Sequence, residues 1–296
     1  MDNNILELDN IISEFNMDMF INEYNNFSNI INRHINGKVI NESVLHEGFK
    51  ESFKALIKKA KDAIKKLIDK IKEFFKNLAI KWDQKVSKRH YKLDKLPDNY
   101  TIHNVLPFDL CFKMYDDYVK NKETIINSID KVANIMSKLD KGNNVDADKQ
   151  SADLIDAATN ELLNNVKFFR IGADDRVSVN AAEIKKNFNK LIEVKDKIYK
   201  ESFKIQDLLL AKLRMCDTYI GDIGKWNVDL DGNIDRENLE DTMNNFVSSF
   251  QSVIRNFVKY YSEAIKITMN LSSNAVTISN SCVTITNELN KVREIL

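Results

Sequence analysis

Apolar positions recur at helical spacing along nearly the whole chain. Phe53, Ile57, Ala60, Ile64, Leu67, Ile71, Phe74 and Leu78 advance by alternating steps of four and three, which places them on one stripe of a helix. The spacing predicts a helix from about Gly48 into the eighties. Lys54, Lys58, Lys59, Lys61, Lys65, Lys66, Lys70, Lys72 and Lys76 fill the rest of its surface. Over residues 93–107 the pattern breaks, and Pro97 and Pro107 mark an irregular connection.

Three further runs follow. One covers about Phe108–Leu139, with Ile125, Ile129, Val132, Met136 and Leu139 on its stripe; Gly142-Asn143-Asn144 ends it. The next covers about Lys149–Phe169, with Ile155, Ala158, Leu162, Val166 and Phe169. Asn180-Ala181-Ala182-Glu183 then reads as a capping box, in which the Asn180 side chain accepts from a free amide and Glu183 reaches back. That helix is expected to run to about Ile220, ended by Gly221 and Gly224.

The final run is the longest. From Phe246 through Phe250, Val253, Phe257, Tyr260, Ala264, Ile267, Leu271, Ala275, Ile278, Cys282, Ile285 and Leu289 to Val292 the alternation is unbroken. It predicts a helix from about Arg236 to the end, roughly 90 Å long at 1.5 Å per residue. A heptad held so long implies a left-handed supercoil against a partner helix, within the chain or in a second copy. The outer face is Ser/Thr/Asn rather than Glu/Lys, which favours a bundle over a free-standing coiled coil. The expected fold class is all-α, an elongated helical bundle with long heptad-patterned helices. Four regions are expected: an acidic segment 1–47, a basic amphipathic helix 48–92, a Pro-containing linker 93–107 and a helical bundle 108–296.

Composition agrees with this picture. Only 7 Gly and 2 Pro occur in 296 residues, too few for an all-β chain with its many turns. Apolar residues at 43% can supply a core. Three Cys, an odd number, speak against a secreted disulfide scaffold and for a reducing compartment. The N-terminus, Met1-Asp2-Asn3-Asn4, is acidic where a signal peptide is basic. The longest uncharged stretch, Ile267–Asn287, is too rich in Ser, Thr and Asn for a membrane span. A soluble protein is expected.

Charge changes the picture more. The chain carries 44 Lys+Arg and 44 Asp+Glu, a net of zero. Residues 1–47 hold eight acids and two bases, a net of −6; residues 48–92 hold fifteen bases and five acids, a net of +10. An acidic block followed by a strongly basic one points to a polyanionic partner or an internal neutralising segment.

The acidic block has a second regularity. Each of its five Glu has Ile or Leu two positions before it: Ile5-Leu6-Glu7, Ile12-Ser13-Glu14, Ile21-Asn22-Glu23, Ile40-Asn41-Glu42 and Leu45-His46-Glu47. Beyond it only Ile71-Lys72-Glu73 and Leu191-Ile192-Glu193 match. Gly48 follows the fifth instance, where the net charge flips, and its small size leaves the Glu47–Gly48 bond uncrowded for a protease.

Leu45-His46-Glu47 followed by Gly48 resembles the site cut by the prohead protease of T-even-type tailed phages, which cleaves after Glu in a Leu/Ile-x-Glu sequence. Together with the acidic leader and the lysine-rich helix, it resembles internal head proteins of large myophages. The resemblance covers residues 1 to about 90. It implies a precursor made in the host cytoplasm, targeted into the assembling capsid, cleaved after Glu47 and retained inside the virion. The implied partners are the prohead protease, capsid or other internal head proteins, and packaged DNA. No cofactor is implied. Two alternatives remain from the residues alone. One is a prohead core scaffold, though such a protein should carry Ile/Leu-x-Glu sites throughout. The other is a membrane-active helical protein held inactive by its leader.

Removing residues 1–47 leaves 42 bases and 36 acids, a net of +6. Lysine-rich contact with DNA would run through phosphates, without sequence preference and with strong salt dependence. Phe49, Phe53, Phe74, Phe75 and Trp82 mostly share the apolar stripe and are read as packing rather than base-stacking groups. A lysine face opposite Phe, Ile and Leu equally fits a membrane surface, met during ejection, or a bundle seam with solvated lysines.

Asn227, Asp229 and Asp231 followed by Gly232 resemble the start of a calcium loop. Position 12 is Asn238 where a bidentate Glu is required, so a polar turn before the last helix is preferred and no metal is expected. The four His (34, 46, 90 and 103) lack metal spacing, the seven glycines are scattered singly, and Cys111, Cys216 and Cys282 stand apart. Cys282 lies on an apolar stripe and is read as a small core residue. No enzymatic activity is expected.

Overall fold

The computed structural model describes residues 42–83, 93–139, 145–166, 175–223 and 236–291, with some side chains near the ends of these segments left out. They are mostly helical. In chain order the elements are α1 (Glu42–Asp83), a 3-10 turn (Leu93–Lys95), β1 (Thr101–Val105), α2 (Phe108–Ser137), α3 (Val145–Asn165), β2 (Val177–Asn180), α4 (Ala181–Ile223) and α5 (Arg236–Lys291).

The stripes read from the sequence are the core. On α1, Ile57, Ala60, Ile64, Leu67, Ile71, Phe74 and Leu78 are all buried. So are Ile125, Ile129, Val132 and Met136 on α2, and Ile155, Ala158 and Leu162 on α3. On α5 every described member of the stripe from Phe250 to Leu289 is buried. Periodic burial of this kind, more than intrinsic propensity, stabilises long helices.

The chain forms two compact units. The first comprises the described part of Met1–Ile71 with Asn127–Leu163 and Leu209–Lys266. Its buried layer includes Ile64, Leu67, Val132, Ile155, Leu213, Phe257 and Tyr261. Specific bonds fix its helices to one another. Tyr260 on α5 donates to Ser128 Oγ on α2 at 2.9 Å, and Asn256 Nδ2 donates to the Ala152 carbonyl of α3 at 2.8 Å. Lys212 on α4 pairs with Asp130 on α2 at 2.8 Å.

The second unit comprises Lys72–Ile126, Asn164–Leu208 and Ile267–Leu296, of which the described residues carry the two strands. β1 and β2 pair antiparallel, with Thr101 opposite Asn180, Ile102 opposite Val179 and Val105 opposite Val177. The register shifts between Ile102 and Val105. Asn104 takes φ 62° there, a left-handed conformation that Asn tolerates better than most residues. The Arg176 guanidinium donates to the Asn104 carbonyl at 3.0 Å and holds the bulge.

The described residues are mostly helical, in keeping with the expected all-α class, and carry one small two-stranded sheet. Within residues 93–107, Leu93, Leu96, Ile102, Val105 and Leu106 are buried. The Leu106 amide donates to Ser281 Oγ at 3.2 Å and the Tyr100 hydroxyl donates to the Glu288 carbonyl at 3.0 Å, both on α5.

The predicted capping box at α4 is present. Asn180 Oδ1 accepts from the Glu183 amide at 3.0 Å, and the Asn180 amide donates to Glu183 Oε2 at 3.1 Å. Gly221 does not end α4, which continues to Ile223. A Cβ on Gly221 would lie 3.0 Å from Lys61 Nζ, so glycine at this point permits close approach of the α1 side chain.

Candidate functional site

The nine lysines singled out on α1 are all at the surface. Lys54, Lys58, Lys65, Lys66, Lys72 and Lys76 are exposed; Lys59, Lys61 and Lys70 are half-buried. The apolar stripe beside them is buried, so α1 is amphipathic in three dimensions as well as in sequence. Lys61 Nζ lies 3.9 Å from Asp217 Oδ2 on α4, with both side chains about two-fifths exposed (42% and 40%). At that separation and exposure the pair adds little to stability. Lys59, Lys66 and Lys70 interact with other groups of the protein. Lys54, Lys58, Lys65, Lys72 and Lys76 make no ion pair with a described residue.

The aromatic groups on α1 behave as packing groups. Phe74 and Phe75 are buried, and Phe75 meets the Phe203 ring edge-on at 5.4 Å between centroids. The side chains of Phe49, Phe53 and Trp82 lie outside the described set.

Leu45, Glu47 and Gly48 belong to α1. The described helix covers Glu42–Asp83 and so already includes the residues before Gly48, and the Glu47–Gly48 bond lies within it. A protease that reads an extended strand would have to unwind the helix locally at this bond. Of the five Ile/Leu-x-Glu tripeptides, only the fifth is wholly described; Ile40 and Asn41 of the fourth and all of the first three lie outside the described residues. The calcium-loop candidate Asn227, Asp229 and Asp231 lies outside them too.

All three cysteines are buried as free thiols. Burial pushes each thiol up to about 12 from an ordinary value of 9.0. Cys282 is thus a core residue, and Cys111 and Cys216 share that role. Among the described residues no group of His, Cys, Asp and Glu could hold a metal ion, and no helix is long and apolar enough to cross a membrane.

Two features escaped the sequence. An open groove of about 540 Å³ lies in the first unit, lined by Asp130, Lys131, Ile135, Lys138 and Leu154 among others. Asp130 is held by Lys212 and Lys131 by Glu161, each at 2.8 Å. On the ribbon, His103 Nδ1 lies 2.6 Å from Ser178 Oγ, both side chains exposed. Neither left a sequence signal, because each joins residues from distant segments at no fixed spacing. Compared with protein families, curated proteins and solved structures, the chain matches none.

Proposed function

We propose that this chain is a phage internal virion protein, made as a precursor, cleaved after Glu47 by a prohead protease and packaged with DNA in its basic form. The observation that carries the proposal is a coincidence at one bond. The fifth Ile/Leu-x-Glu tripeptide ends at Glu47, Gly48 follows, and net charge turns there from −6 over residues 1–47 to +10 over residues 48–92. A structural protein of heptad-patterned helices in an elongated bundle is part of the same proposal, as are capsid or other internal head proteins as neighbours.

The arrangement of α1 favours DNA over a membrane as the partner of its lysines. A membrane-surface helix must offer its apolar stripe to lipid. Here the stripe from Ile57 to Leu78 is already buried in the protein, while the lysines face outward. Contact through the lysines alone suits a polyphosphate.

Co-expression with a T-even-type prohead protease tests the processing step. The expected product has lost residues 1–47, and Glu47→Gln blocks its formation. An uncut chain, or a cut elsewhere that Glu47→Gln leaves unchanged, contradicts the proposal.

A further inference from the structure

The nine lysines singled out on α1 are not one face but two rows. At roughly 100° per residue, Lys54, Lys58, Lys61 and Lys65 fall within a sector about 60° wide, centred about 120° from the buried stripe. Lys59, Lys66 and Lys70 fall on the opposite flank. Asp62 and Asp69, both exposed, occupy the outermost line between the rows. Lys72 and Lys76 repeat the angular position of the first row farther along the sequence.

The rows differ in what they touch. Lys59, Lys66 and Lys70 are engaged with other groups of the protein. In the other row Lys54, Lys58 and Lys65 are exposed and make no ion pair with a described residue. Lys61 has only the long contact to Asp217, at 3.9 Å, among described carboxylates. One row therefore has interactions within the protein, whereas the other has only the long Lys61–Asp217 contact to a described carboxylate, although both look alike in sequence.

We propose that the row formed by Lys54, Lys58, Lys61 and Lys65 is the surface through which this chain contacts the phosphates of duplex DNA. The inference rests on the packaged-with-DNA function proposed above and names the residues that perform it. The row is about 16 Å long at 1.5 Å per residue. Duplex DNA presents one charge per about 1.7 Å of axis, so phosphates within reach outnumber the lysines. Each lysine is a point charge on a flexible stem and adapts to whichever phosphate is nearest. The apolar stripe of α1 from Ile57 to Leu78 is buried, and lysine contacts to phosphate carry no base information. Binding is therefore indifferent to sequence.

Two triple variants with the same net charge separate this row from general electrostatics. Fluorescence anisotropy of the full-length chain with a labelled duplex of arbitrary sequence is followed across a series of NaCl concentrations. Any effect of residues 1–47 is common to all proteins compared. Lys54→Gln/Lys58→Gln/Lys65→Gln is expected to reduce the slope of log K against log salt by about 3, at about 0.9 per phosphate released. Lys59→Gln/Lys66→Gln/Lys70→Gln is expected to change it by less than about 1. Single Lys58→Gln and Lys65→Gln variants, each expected to cost about 1 in slope, keep the test valid if a triple fails to fold. Equal changes in the two triples, or an unchanged slope in the first, overturn the proposal. So does a first triple that loses binding to phosphatidylglycerol vesicles while keeping its DNA slope, which assigns the row to lipid. A chain that starts at Met1 in particles would defeat the processing proposal and leave these slopes intact, so the two failures are distinguishable.

Discussion

Lys61 on α1 and Gly221 on α4 approach so closely that a Cβ on the glycine would stand 3.0 Å from the lysine ammonium and 3.4 Å from its Cε. The neighbour that would have to move is the far end of a flexible side chain, and its ion-pair partner Asp217 is already 3.9 Å away.

The expected effect of Gly221→Ala therefore has a definite sign. Replacing glycine within a helix gains up to about 1 kcal/mol of conformational free energy. The exposed Lys61–Asp217 pair forfeits at most a comparable amount and in most such pairs much less. Urea unfolding should show a midpoint equal to or above that of the parent. A loss of more than about 1 kcal/mol would mean that Lys61 is held more rigidly than its exposure implies.

The sequence made most of the helical layout legible and little of its cross-links. Stripe residues such as Ile64, Val132 and Phe257 are periodic, and periodicity is what burial on one side of a helix imposes. The ribbon was invisible for a physical reason. β1 is five residues long, and its bulge at Asn104 leaves His103 and Asn104 both exposed, which destroys the alternation that marks a strand. Gly221 misled because close approach and helix termination use the same residue. Of the candidate site, the lysines and the tripeptides could be read directly. The division of the lysines into two rows could not, because it depends on what each ammonium touches after folding.

The link between Tyr118 and Ser202 predicts non-additivity. Their hydroxyls lie 3.0 Å apart in the interior, and both residues are buried. Tyr118→Phe or Ser202→Ala alone leaves a buried hydroxyl without its partner, at about 1–3 kcal/mol. The double variant removes both and should lose less than the sum of the two single losses. Strict additivity in urea denaturation would show that the two hydroxyls do not depend on each other.

Asn180→Ala should cost about 1 kcal/mol, because both bonds of the box, Asn180 Oδ1 from the Glu183 amide and Glu183 Oε2 from the Asn180 amide, depend on this turn. Asn180→Gly should cost only a few tenths of a kcal/mol. Equal losses for alanine and glycine, measured by thermal or urea unfolding, would speak against a capping role.

The buried thiols make stability depend on alkaline pH. Each is raised to about 12 by burial, whereas an unfolded thiol ionises near 9.0. Above that lower value the unfolded chain gives up protons that the folded chain retains, so unfolding becomes easier as pH rises. The thiol contribution is complete below about pH 9 and declines from there to about pH 12. Cys282→Ala should flatten this decline. The same burial predicts that the native protein resists iodoacetamide near neutral pH and reacts fully after denaturation. Rapid labelling of folded protein would contradict the burial of all three.

The Glu47–Gly48 bond bears most of the functional weight, and the N-terminus of the protein in mature particles reports on it directly. Mass spectrometry of the protein recovered from such particles should find a chain that begins at Gly48. A chain that begins at Met1 would contradict the proposed processing.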